Sequence, residues 1–201
     1  MSLLIKICGL TTEEGVAAAV ASGADAVGFV FHSPSPRNIE PARAAAVAAS
    51  IPANILRVAV TLGPSQALVD RVLAAFTPDV WQSDGADFGS IRLPAAISRW
   101  PVLRSGSPTP DALPPRLLFD AATSGAGVEA DWDVAADIAR RSELIIGGGL
   151  DALRVGPAIA AVRPFGVDVS SGVEREPGVK DPVKIREFIA AARAADRRMT
   201  A

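Results

Sequence analysis

The sequence carries one cysteine, Cys8, and one histidine, His32. Cys8 ends a short apolar run, two residues after Lys6. If that run is a strand, Leu4, Lys6 and Cys8 share one face and Ile5 and Ile7 the other. A thiol ionises near pH 8.5 in water, and a nearby ammonium favours the thiolate. Cys8 is therefore a candidate activated thiol, with a buried inert cysteine as the plainer reading. Asp120 follows Leu117-Leu118-Phe119 and stands too far before the next helical pattern to cap it. It is a candidate site acid. Asp168, after Phe165-Gly166-Val167, has the same placement; a substrate contact and hydrogen bonding to the turn at 170–172 are both open. Arg37, restrained by Pro36, offers a planar fork suited to a carboxylate, or is an ordinary loop charge. Gly147-Gly148-Gly149 and Ser170-Ser171-Gly172 would let backbone N–H groups close on an anion, with tight turns as the alternative. His32 reads as a solvated loop residue without a role, and Trp132 as packing at a helix start.

These residues must be positioned by the elements between them. Short β-branched runs alternate with alanine-rich helical stretches. The runs fall at 3–7, 26–31, 55–60, 79–82, 101–104, 116–119, 144–146 and 165–169. Helical patterns fall at 12–22, 41–50, 65–76, 131–141, 151–162 and 182–195, with a poorly patterned one near 88–97. Eight strand–helix units without adjacent strands point to parallel pairing and to an α/β fold, the closed (β/α)8 TIM barrel. Four prolines between Arg104 and Arg116 replace the helix after the fifth strand with a loop. The chain of 201 residues reads as a single catalytic domain, 1–201. In such a barrel the candidate residues gather at the C-terminal ends of the strands, and loops seven and eight form the recurrent phosphate site.

Composition narrows the function classes. Hydrophobic residues make up 49% and charged residues 21%, a globular balance. A net charge of -2 gives no basic excess for a nucleic-acid partner. One cysteine and one histidine leave too few ligands for a dedicated zinc site and exclude an internal disulfide. No apolar run approaches the roughly 20 residues that cross a bilayer. Residues 1–6 have no signal-peptide layout. The expectation is a cytoplasmic protein without a dedicated metal site, with no nucleic-acid or membrane partner, as a monomer or weak homodimer.

Taken together the motifs resemble phosphoribosylanthranilate isomerases of tryptophan biosynthesis, from end to end. The resemblance rests on Lys6-Ile7-Cys8-Gly9-Leu10-Thr11, Gly23-Ala24-Asp25, Gly28-Phe29-Val30-Phe31, Ser35-Pro36-Arg37 and Asp131-Trp132. It continues in Gly148-Gly149-Leu150 and in the block from Gly166 to Glu174, with Pro177-Gly178 and Lys180-Asp181. It implies an Amadori rearrangement of a phosphosugar substrate, N-(5′-phosphoribosyl)anthranilate, without cofactor. It further implies Cys8 as base, Asp120 as acid and Arg37 on the anthranilate carboxylate. Gly148, Gly149, Ser171 and Gly172 would surround the phosphate, Ser170 would belong to the same site, and Asp168 would lie near the sugar hydroxyls.

The chain departs from the family pattern at three places. Gln82-Ser83-Asp84-Gly85 stands for Gln-Leu-His-Gly, Ser124-Gly125-Ala126-Gly127 for Gly-Gly-Thr-Gly, and Val58-Ala59-Val60-Thr61 for Val-Phe-Val-Asn. Two alternatives are carried beside the main reading. One is a histidine-pathway or bifunctional aminoaldose isomerase, which normally has aspartate in place of Cys8. The other is a sugar-phosphate-binding barrel without activity.

Overall fold

The computed structural model describes residues 2–123, 127 and 129–200. Eight parallel strands close into a barrel in chain order. They are β1 (Leu4–Cys8), β2 (Ala26–Val30), β3 (Leu56–Val60), β4 (Val80–Asp84), β5 (Ser98–Arg104), β6 (Arg116–Asp120), β7 (Glu143–Ile146) and β8 (Gly166–Val169). The seam joins β8 to β1, with Lys6 in register with Asp168. Around it lie α1 (Glu13–Ser22), α2 (Pro41–Ala48), α3 (Gln66–Ala75), α4 (Trp132–Ala139), α5 (Val155–Val162) and α6 (Pro182–Thr200). A two-stranded hairpin of β9 (Glu174–Glu176) and β10 (Val179–Lys180) follows β8 and carries two charged residues of the site.

Local chemistry sets the helix boundaries. Side-chain oxygens of Thr12, Ser65 and Asp131 accept from first-turn N–H groups of α1, α3 and α4. Gly23 closes α1 at φ 88, a left-handed angle that suits glycine. After β5 the proline-rich segment forms no helix, as the sequence implies. The helix expected near 88–97 is corrected: β4 is followed by one 3-10 turn, Gly85–Gly89. Two glycines and Pro94 explain it, since glycine adds backbone entropy and proline removes an N–H. The pattern beginning at residue 151 also yields its helix only from Val155, after a turn in which Asp151 accepts from Leu153 and Arg154.

Strand alternation divides the core into two shells. Ile5, Ile7, Val27, Trp81, Phe119 and Ile146 face the helices. Leu4, Ala26, Val58, Val80, Trp100 and Leu118 fill the barrel's lower interior with a solid apolar plug. Below it, Arg116 pairs with Glu143 and stacks on Phe165. Asp25, from the Gly23-Ala24-Asp25 motif, accepts from Ile5 N and from Arg193 of α6, which ties the barrel floor to the last helix.

The plug leaves no spare volume at the seam. A Cβ added at Gly166 would stand 2.8 Å from the Leu4 carbonyl oxygen and 3.0 Å from Leu4 Cβ. Gly166→Ala should therefore cost about 1–3 kcal/mol by overpacking. Urea denaturation checks this, and a loss below about 0.5 kcal/mol, within the range of an ordinary surface change, would contradict it.

Candidate active site

Above the plug, the C-terminal ends of the strands enclose a cavity of about 590 Å³. Cys8, Asp120, Asp168 and Ser170 line it, and so does Arg37 from the loop after β2. The strand ends therefore bring together both acid–base candidates and three of the proposed substrate contacts.

Lys6 is fully buried, and its Nζ donates to Asp168 Oδ1 at 2.8 Å. Burial by itself favours neutral lysine, but Asp168 and the Cys8 sulfur outweigh it, so the group stays an ammonium above its ordinary range. Cys8 is 6% exposed. Burial raises its thiol above 9.0, and the Asp168 carboxylate adds to the rise; Lys6 and Lys180 pull downward and do not prevail. The expected Lys6-activated thiolate is thus corrected. Lys6 is close, but its charge is balanced by Asp168, so burial decides the protonation state. Gly28 makes the room: a Cβ there would stand 2.9 Å from Cys8 Sγ and 3.2 Å from Lys6 Cε.

Arg37 is buried, and two points of its fork meet one carboxylate. Nε donates to Glu174 Oε1 at 2.7 Å and Nη2 to Oε2 at 2.9 Å. The carboxylate partner inside the protein is therefore Glu174, and the guanidinium borders the cavity while held by it. Gly9, at φ 76, permits this approach; its added Cβ would fall 2.7 Å from Arg37 Cδ. Lys180 donates to Glu174 Oε1 at 2.7 Å and to the Ser170 carbonyl at 2.9 Å. Burial favours protonated Glu174, but Arg37 and Lys180 overcome it and hold the carboxyl below its usual range. Burial pulls Lys180 below its usual range against Glu174's attraction. The Ser170 hydroxyl donates to the Cys8 carbonyl at 3.1 Å.

Loops seven and eight meet beside Cys8. Gly148 and Gly149 have φ of 82 and 64. A Cβ on Gly148 would lie 2.8 Å from Ala121 N, and one on Gly172 only 1.9 Å from Leu150 O, so both backbones are in close approach. Among the described residues, the N–H groups of Gly148, Gly149, Ser171 and Gly172 have no protein acceptor. Clustered N–H groups of this kind suit an anion. Asp120 lines the cavity, its Oδ1 accepting from Ala121 N at 2.8 Å; Gly148, Gly149, Ser171 and Gly172 are not among the residues that line it.

The model for N-(5′-phosphoribosyl)anthranilate (PRA) isomerase matches residues 5–191. The chain belongs to the PRA isomerase family. A Bordetella petrii N-(5′-phosphoribosyl)anthranilate isomerase is 40% identical over 218 residues, covering 99% of each chain. The solved phosphoribosyl anthranilate isomerase of Thermus thermophilus superposes with TM-score 0.82 at 27% identity, covering 96% of this chain and 99% of that one. Another solved PRA isomerase, at TM-score 0.77 and 29% identity over 96% and 99% of the two chains, holds reduced 1-(o-carboxyphenylamino)-1-deoxyribulose 5-phosphate.

Within this PRA isomerase fold, two departures from the family pattern meet. Thr61 Oγ1 accepts from Trp81 Nε1 at 2.9 Å and bonds Ser83 Oγ at 3.0 Å, a buried pair of which Thr61 lines the cavity. Ser124, Gly125 and Ala126 of the third departure lie outside the described residues. The cavity is also lined by Arg104 and Gln82, to which sequence reasoning gave no role, and by His32, which it read as a solvated loop residue. Arg104 could have been found by counting in twos from buried Trp100 along β5.

The raised thiol has a direct readout, because Cys8 is the sole cysteine. Iodoacetamide should modify Cys8 in the folded protein through the cavity, with a rate still climbing above pH 9. Lys6→Met should move the titration further upward, as it removes the cation that opposes burial. A plateau reached below pH 8.5 would contradict this electrostatic account.

Proposed function

We propose that the chain converts N-(5′-phosphoribosyl)anthranilate to 1-(2-carboxyphenylamino)-1-deoxyribulose 5-phosphate, with Cys8 as general base and Asp120 as general acid. One observation carries the assignment. Cys8 on β1 and Asp120 on β6 face one cavity, and the strands between them, β7 and β8, lead into the loops with the acceptor-free N–H groups. A phosphosugar anchored there by its phosphate would present its ring to both groups. The family membership and the reduced product analogue held by a relative support the same reading.

The steps follow from these groups. Asp120, as the carboxylic acid, gives its proton to the ribose ring oxygen; the C1′–O bond breaks and a Schiff base forms. Cys8, as the thiolate, takes the C2′ proton. The released electron pair neutralises the iminium and leaves an enolamine, which becomes the ketone when C1′ is protonated. Arg37, fixed by Glu174, lies where its guanidinium can meet the anthranilate carboxylate. Gln82 Oε1, buried and without an acceptor-side partner among the described residues, is available to a substrate hydroxyl. The free cysteine and this metabolic role support a cytoplasmic location.

Burial raises the Cys8 thiol, so the thiolate is its minor form at neutral pH. A higher thiol value also makes a stronger base once ionised, which offsets the smaller fraction.

The test is turnover followed by loss of anthranilate fluorescence from substrate generated in place. Asp120→Asn should lower kcat at least about 100-fold, because an amide cannot deliver the proton. Near-wild-type kcat in that variant would remove Asp120 as the acid.

A further inference from the structure

Two carboxylates stand beside the loops that would hold the substrate phosphate. Glu129 comes from the segment after β6, and its neighbour Ala130 abuts loop seven: a Cβ on Gly148 would lie 3.0 Å from Ala130 N. Asp151 follows the glycines of loop seven and abuts loop eight: a Cβ on Gly172 would lie 3.1 Å from Asp151 Cα. A phosphate monoester carries about −1.5 to −2 charges at pH 7. Carboxylates left without a counter-charge at the same loops would repel it.

One cation meets both. Arg154 Nε lies 3.5 Å from Glu129 Oε1, and its Nη1 lies 4.0 Å from Asp151 Oδ2. The same Nη1 donates to the Gly149 carbonyl at 3.1 Å. That bond lays the guanidinium on a glycine of the N–H cluster itself. The backbone prepares the position, because Asp151 Oδ1 accepts from the N–H groups of Leu153 and Arg154, both at 2.9 Å. The Arg154 and Glu129 side chains are 48% and 54% exposed, so their pairing adds little to stability. Its consequence is for the potential that an arriving anion meets.

We infer that Arg154 is a substrate-positioning residue of the phosphate end. Its guanidinium offsets Glu129 and Asp151, and so lets the N–H groups of Gly148, Gly149, Ser171 and Gly172 hold the phosphate. The inference rests on the reading that the phosphate is anchored at these loops. It concerns affinity and leaves the proton transfers to other groups.

The test titrates isotope-labelled protein with inorganic phosphate at low ionic strength and follows backbone amide resonances by NMR. Wild type, Arg154→Gln, Arg154→Lys and Glu129→Gln are compared, each checked for folding by thermal denaturation. In wild type, phosphate should shift the amides of Gly148, Gly149, Ser171 and Gly172. Kd should rise roughly three- to tenfold in Arg154→Gln and stay within about twofold in Arg154→Lys, which keeps the charge. In Glu129→Gln it should fall roughly two- to threefold, because one of the repelling charges is gone. Salt near about 0.5 M should shrink these differences. The KM for substrate should follow the same order, so that the loss in kcat/KM comes through KM. A Kd unmoved in Arg154→Gln overturns the inference. So does weaker binding in Glu129→Gln, since the pair would then act as a tether and not through charge. The two possible failures separate by location. No shift at the four amides in wild type sinks the phosphate reading itself. Shifts there beside an unmoved Kd in Arg154→Gln sink only the role of Arg154.

Discussion

The site depends on one buried ion pair, Lys6 with Asp168, at the seam where the first strand meets the last. The two residues are 162 positions apart and 2.8 Å apart in space. Removing an ammonium from water costs several kcal/mol unless a partner compensates, and breaking such a pair on one side strands the other charge. The pair thus couples closure of the barrel to the chemistry above it. Burial raises the Cys8 thiol, and Asp168, by balancing the Lys6 cation, leaves that rise in place.

A second cluster, Arg37–Glu174–Lys180, repeats this logic on the other flank. There one carboxylate holds two cations, and the surplus positive charge faces the space where an anionic substrate would lie. Small residues make both arrangements sterically feasible. Gly28 yields to Cys8 and Lys6, and Gly9 yields to Arg37. Below them the apolar plug around Trp100 and Leu118 excludes water from beneath the site. The result is a cavity with a rigid floor and charges already paired before any ligand arrives.

Most of the barrel was legible because its signals are local. Alternation in β1 put Lys6 and Cys8 inside, and prolines removed the helix after β5. The missing helix after β4 was harder, because Gly85, Gly89 and Pro94 are dispersed through an otherwise permissive stretch. Site residues at strand ends were legible by parity and by family resemblance. What escaped was pairing. Sequence places Lys6 near Cys8 but cannot tell that Asp168 takes its charge, so the direction of the thiol shift came out reversed. It likewise presents Arg37 as a fork awaiting a carboxylate, when Glu174, far along the chain, already fills two of its points. Asp84 was visible only as a departure; its ion pair with Arg104 is one that no local pattern announces.

The central claim is that Cys8 and Asp120 perform separate proton transfers on one substrate. The most direct measurement is the primary isotope effect on kcat with substrate deuterated at C2′. The account predicts a larger effect in Cys8→Ser than in wild type, because a poorer base makes C2′ deprotonation limiting. It predicts an effect near unity in Asp120→Asn, because ring opening then limits turnover before that bond is touched. An isotope effect unchanged by Cys8→Ser, with turnover intact, would contradict the assignment of the thiol as the base.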